Sequence, residues 1–186
     1  GYDVEYIALA LADLGLAGTH LSVVGENSYE WMVSYSAILG GGSIGVPLDR
    51  LLPENEVISL LKRGKVRAVF YHPNHHDMMV SIASIIDSDD ALQVDYFICM
   101  DPDRIKTQWP ESSAFISFSS FIEKGKSLAE DGDKRFVEAT IDSEIMKIIL
   151  FTSGTTAMSK GVMLSHKNIC RNVEAIGATL YVEPGE

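Results

Sequence analysis

Cysteine occurs only twice in this chain of 186 residues, as Cys99 and Cys170. The pair is widely separated and forms no CxxC motif, which argues against a disulfide framework or a thiolate zinc site and fits a reducing cytoplasm. Positive charge is also scarce: 15 Lys and Arg stand against 26 Asp and Glu, a formal net charge of −11. Such a chain repels polyanions, so nucleic acid and anionic membranes are poor partners and any anionic ligand needs a local basic site. An unbroken apolar run is missing too. The longest uncharged stretch, residues 31–48, is interrupted by Ser34, Ser36, Ser43, the Gly40–Gly41–Gly42 triplet and Pro47. It reads as a helix, a glycine turn and a short buried strand, not as a transmembrane segment. No basic start followed by a continuous apolar core marks a signal peptide.

What is present suits one substantial core: 46% of residues are hydrophobic and 22% charged. Val4, Ile7, Ala8, Leu11 and Leu14 recur at helical spacing up to Gly15, and LSVVG (21–25) then reads as a buried strand. Asn27 with Glu30 three residues on resembles a capping box opening a helix through Trp31, Tyr35, Ile38 and Leu39. SIGVP predicts a strand, ENEVISLLKRG a helix closed by Gly64, RAVFY a strand, HHDMMVSIASIID a helix, and VDYFICM another strand. Residues 101–117 read as loop, 118–128 as a weak helix broken by Gly125, and 130–144 as an acidic connector before the strand IMKIILF. The alternation predicts an α/β protein of βα layers around a mainly parallel sheet covered on both faces.

Two motifs invite a functional reading and lose it. Gly40, Gly42 and Gly45 satisfy GxGxxG, but a dinucleotide loop follows a strand and opens a helix, whereas here the helix comes first. HPNHHD (72–77) offers three imidazoles and a carboxylate; Pro73 marks a helix start, and the expectation is solvated polar residues instead of metal ligands.

One stretch keeps its functional reading. LFTSGTTAMSKGVMLSH (150–166) sets the hydroxyls of Thr152, Ser153, Thr155 and Thr156, two glycines and Lys160 behind an apolar run. The spacing is not that of a Walker loop, because Lys160 follows Ser159 and precedes Gly161. The composition still suits phosphate: glycines expose backbone amides, hydroxyls donate hydrogen bonds and lysine supplies a point charge. Between residues 145 and 173 lie Lys147, Lys160, Lys167 and Arg171 without a single carboxylate, a locally positive window in an acidic chain. A plain Ser/Thr/Gly hairpin turn remains the alternative.

FTSGTTAMSKGVMLSH resembles the signature phosphate loop of the adenylate-forming enzymes: acyl-CoA synthetases, peptide-synthetase adenylation domains and luciferases. GENSYEWMVSYSAILGGGSIGVPLD and AVFYH look like the early part of long-chain fatty-acid CoA ligases. Ala157 and Ser159 depart from the Gly and Pro of many members. The resemblance implies an ATP-dependent, AMP-forming ligase that adenylates a fatty acid and passes the acyl group to CoA. It also implies that Thr152, Ser153, Gly154, Thr155, Thr156 and Lys160 hold the β- and γ-phosphates, that Lys160 is the catalytic cation, and that Thr152 contributes to a Mg2+ site. GVMLS should then be a strand and Ser165 should cap a helix on Ile169, Val173, Ile176 and Leu180, with His166 as a first-turn residue. The family's later acidic motif, ribose-binding aspartate, hinge and C-terminal lysine have no counterpart here. Residues 1–186 are therefore expected to be part of a flavodoxin-like N-terminal AMP-binding domain, catalytically silent alone and lacking the C-terminal lysine-bearing domain. The alternatives are a free-standing α/β nucleotide-binding or interaction module, or an adenylation domain for another carboxylate.

Overall fold

The structure is a computed structural model that describes residues 1–152 and 159–179. Its helices are α1 (Tyr2–Asp13), α2 (Tyr29–Gly40), α3 (Glu54–Arg63), α4 (His76–Ser84), α5 (Phe118–Glu130) and α6 (His166–Thr179). Its strands are β1 (His20–Val24), β2 (Ile44–Leu48), β3 (Val66–Tyr71), β4 (Tyr96–Cys99), β5 (Phe115–Ser117), β6 (Met146–Thr152) and β7 (Lys160–Ser165). All seven strands join one sheet in the order β5-β4-β3-β1-β2-β6-β7. Every pairing is parallel except that of β6 with β7.

Strand order decides which helix covers which face. The chain steps from β1 outward to β2, then returns past β1 to β3 and continues to β4. Parallel crossovers share one hand, so reversing the direction of travel sends the connecting helices to opposite faces. Accordingly, Val33, Ala37 and Ile38 of α2 join Ile7 and Leu11 of α1 and Phe121 of α5 over one face. On the other, Val57, Leu60 and Leu61 of α3 join Met79 and Ile82 of α4. Strand alternation feeds both cores: Ala68 and Phe70 of β3 face the first, while Val69 and Tyr71 face the second. Phe70 meets the edge of Phe121 with ring centroids 5.9 Å apart.

Four local expectations are corrected. Ser28, not Asn27, caps α2, its hydroxyl accepting from the Trp31 amide at 3.2 Å. Residues 101–117 are not all loop, because Phe115–Ser117 adds a short parallel strand beside β4. VDYFICM yields a strand only over Tyr96–Cys99. Gly125 does not break α5; the helix runs through it, and a Cβ there would lie 1.8 Å from the Tyr6 carbonyl oxygen of α1. The glycine is there because two helix backbones touch.

That contact generates a paired expectation. Gly125→Ala should destabilise the protein by about 1–3 kcal/mol or more, since only a shift of helix α1 makes room for the methyl. Gly177→Ala in α6 meets nothing within 4 Å and should instead stabilise by about 0.5–1 kcal/mol. Urea unfolding of the two variants beside wild type measures both signs.

Candidate functional site

Strand β6 carries the chain to the carboxyl edge of the parallel sheet, where βα proteins place ligand-binding loops. It is buried where it pairs with β2, through Gly45 and Ile148, and becomes exposed by Thr152. β7 returns antiparallel, with Thr152 opposite Lys160, so GVMLS is a strand as expected and these two residues stand side by side where the strands meet the intervening loop. The Thr152 hydroxyl is 3.5 Å from the Lys160 carbonyl oxygen, a contact too long to hold it firmly. The Lys160 side chain is exposed and pairs with no carboxylate of the described residues. Ser153, Gly154, Thr155 and Thr156 lie outside the described residues.

An anchor that sequence reasoning missed holds the exit of this hairpin. Arg63, the last residue of α3, donates from Nη2 to the Ser159 carbonyl oxygen at 2.5 Å, and its guanidinium sits 5.1 Å from the centre of the Phe151 ring. One arginine thus touches both limbs of the hairpin. Beside it lies a cavity of about 180 Å³, lined in part by Pro47, Leu48, Leu60, Phe151 and Ser159. A basic residue closing a helix was visible in the sequence; its reach across 96 positions was not.

At the far end of β7, Ser165 behaves as expected. Its hydroxyl accepts from the Asn168 amide at 3.3 Å, while Asn168 Oδ1 accepts in return from the Ser165 amide at 2.9 Å. His166 opens α6. The positive window, however, is smaller than its composition promised. Lys147 is buried and Lys167 pairs with Glu144, which leaves Lys160 and Arg171 as its exposed cations. The HPNHHD expectation is corrected as well: His72, His75 and His76 are all buried, not solvated. Tyr71 Oη and His76 Nδ1 are 2.9 Å apart, and the His76 ring stacks on Trp109. Burial pushes His72 down from its ordinary value, against the opposing influence of Glu26. Burial works to raise the Glu26 carboxyl, but the Asn74 hydrogen bond and nearby His72 and His75 hold it below the ordinary value.

The fold defines the class: an α/β protein with a doubly wound, mainly parallel sheet. The chain belongs to the AMP-binding enzyme family, whose model matches residues 2–185. It is 23% identical, over 99% of its length, to a long-chain-fatty-acid–[acyl-carrier-protein] ligase of Arabidopsis thaliana, covering 26% of that protein. It is 28% identical, over 90% of its length, to a long-chain-fatty-acid–CoA ligase of Rattus norvegicus, covering 24% of that protein. The chain therefore spans about a quarter of the length of these relatives. Among solved structures it resembles an anthranilate CoA ligase in complex with anthranoyl-AMP, with a TM-score of 0.75 at 21% identity over 96% of this chain and 31% of that one. The fold is that of adenylate-forming ligases.

Lys147 offers a test of how β6 is built. Burial lowers the pKa of its ammonium from the ordinary 10.5. The folded state therefore binds this proton less tightly than the unfolded chain, and stability rises as pH climbs from the folded value to the unfolded one. Lys147→Met keeps the apolar stem without the charge. It should be more stable than wild type at pH 7, with the gap narrowing towards pH 10.5, as measured by urea unfolding at several pH values.

Proposed function

We propose that this chain supplies the nucleotide-phosphate hairpin of an AMP-forming acid–thiol ligase, within a larger protein whose N-terminal domain it partly forms. The observation that carries the reading is the family match over residues 2–185, joined to a hairpin in which a threonine and an exposed lysine face each other where the loop begins. The reaction has two half-reactions. A carboxylate attacks the α-phosphorus of ATP and pyrophosphate leaves; a thiol, that of CoA in this reading, then attacks the acyl carbonyl and AMP leaves. Adenylation is needed because a carboxylate is a poor acceptor for a thiol.

The donor set suits its task. Thr152 supplies a hydroxyl that is only weakly engaged, and Lys160 an exposed ammonium, while Ser153, Gly154, Thr155 and Thr156 would complete the cradle for the β- and γ-phosphates. Thr152 would also offer an oxygen to Mg2+, which when bound neutralises phosphate charge. Lys160 would then stabilise the departing pyrophosphate, a contribution of charge and position more than of covalent chemistry. Arg63 fixes the Ser159 end of the loop against α3, which limits how far Lys160 moves. Residues 1–186 alone lack ribose, adenine and acyl pockets in this reading and are catalytically silent, and a reducing cytoplasmic setting suits a chain whose two cysteines are free.

In the full-length protein, Lys160→Ala should lower carboxylate-dependent ATP–pyrophosphate exchange by roughly 10²–10³-fold. The circular dichroism melt should not change. Unaltered exchange overturns the role given to Lys160.

The acid is proposed to be a long-chain fatty acid, supported by the Arabidopsis and rat relatives, both long-chain-fatty-acid ligases. Each methylene buried in an apolar tunnel contributes about 0.8 kcal/mol, so kcat/KM should climb from acetate through octanoate to palmitate. The resemblance to an anthranilate ligase supplies the competing outcome. A preference for an aryl acid in the same series would replace the fatty acid while leaving the adenylation chemistry intact.

A further inference from the structure

The loops that follow β1 and β3 leave the sheet where its connections part to opposite faces, the position at which open α/β sheets form a crevice. Here Glu26, His72 and His75 each offer one donor atom, and these atoms lie within 4.8 Å of one another. Their hydrogen bonding is incomplete in a particular way. His75 Nε2 is 3.0 Å from the Arg50 carbonyl oxygen, which can only accept, so the ring donates there and Nδ1 keeps its lone pair. That Nδ1 is buried without a partner among the described residues. His72 Nδ1 lies 2.8 Å from Glu26 Oε2 and 3.3 Å from the Asn74 amide, the latter a long contact that its single lone pair would give up on turning to an ion. With that nitrogen unprotonated, Glu26 Oε2 is buried without a donor among the described residues, since Asn74 Nδ2 donates to the other oxygen, Oε1, at 3.1 Å.

With Nδ1 of both rings unprotonated, the three donor atoms lie close enough to share one ion. We propose that Glu26, His72 and His75 bind a divalent transition-metal ion of the zinc class, which staples the loop after β1 to the loop after β3. Two imidazoles and one carboxylate suit Zn2+, Co2+ or Ni2+, with water completing the shell; Mg2+ and Ca2+ prefer oxygen throughout. Tetrahedral donors at about 2.0–2.1 Å from an ion stand roughly 3.4 Å apart, a spacing that small side-chain rotations reach from the present one. The surroundings are those of orienting partners: the Arg50 carbonyl fixes the ring of His75, and Asn74 fixes the carboxylate. His72 precedes and His75 ends the short 3-10 turn Pro73–His75, which sets their separation. Gly25 makes the approach feasible, since a Cβ there would lie 2.4 Å from His72 Cβ and its φ of +144° suits glycine alone. Arg50, 3.7 Å from Glu26 Oε1, marks the positive side of the cluster and orders the choice of oxygen, leaving Oε2 to the ion. This site is separate from the Mg2+ role proposed for Thr152, which ends β6, two strands away from β1.

The test uses metal-stripped protein carrying Cys170→Ser, which removes the exposed thiol as a competing ligand. Zn2+ titrated by calorimetry should bind with one saturable site per chain and raise the melting temperature. Co2+ should give visible d–d bands without a thiolate charge-transfer band. Glu26→Gln and His75→Ala should each weaken Zn2+ binding at least about tenfold, and His166→Ala should leave it unchanged. Should His75→Ala fail to fold by circular dichroism, the half-exposed Glu26 carries the test alone through its isosteric glutamine. Absence of saturable binding, or affinity unchanged in Glu26→Gln, overturns the proposal.

Discussion

The order in which strands are laid into the sheet governs nearly everything else in this chain. Because the path runs outward to β2 and then back past β1 to β3, α2 and α3 must cover opposite faces, and two separate apolar cores follow. The same reversal opens a gap between the loops after β1 and β3. It also leaves the outer flank of β2 free to receive β6, the strand that leads into the β6–β7 hairpin. Had the chain continued in one direction, neither the histidine cluster nor the hairpin would have its present neighbours.

The two chemical regions are held by contrasting means. The hairpin relies on one long-range arginine, which uses a hydrogen bond on one limb and an aromatic face on the other. The Glu26–His72–His75 cluster relies on close backbone approach, secured by a glycine opposite His72. Arg63 belongs to the helix over one core and Gly25 to the loop leaving the central strand, so the regions are independent in their supports while sharing one edge of the sheet. Lys147 sits between these themes: a cation that the sequence presents as part of a phosphate-attracting window is instead enclosed beneath the hairpin's own strand.

Much of the architecture was legible because apolar runs bounded by glycine or polar residues mark buried parallel strands, and β1 to β4 and β6 all have that form. β5 was missed because three residues, Phe115–Ser117, carry too little periodicity to stand out from the serines around them. Asn27 and Ser28 are adjacent polar residues with equal claims to cap α2, and only the turn geometry decides between them. Gly125 reads as a breaker until Tyr6 is known to lie against it. The histidines read as solvated because their partners, Tyr71, Arg50 and Glu26, come from remote or unremarkable positions. Sequence therefore reports elements and the composition of a loop well, and reports tertiary partners poorly, since these depend on which strands become neighbours.

Strand β7 closes the order of the described strands with one side of its backbone unpaired, and Val162 and Met163 on it are exposed, as is the apolar stripe of Val173 and Ile176 on α6. An edge strand with unpaired amides and carbonyls accepts further strands, and a strand paired on both sides is stiffer than one paired on a single side. β7 is also the return limb of the hairpin that ends in Lys160. Any strand added there would clamp the lysine end of the loop from outside as Arg63 clamps it from within. Extension of the sheet and the stiffness of the β6–β7 hairpin are consequently one mechanical property, so that growth of the fold at this margin acts on Thr152 and Lys160 without altering either.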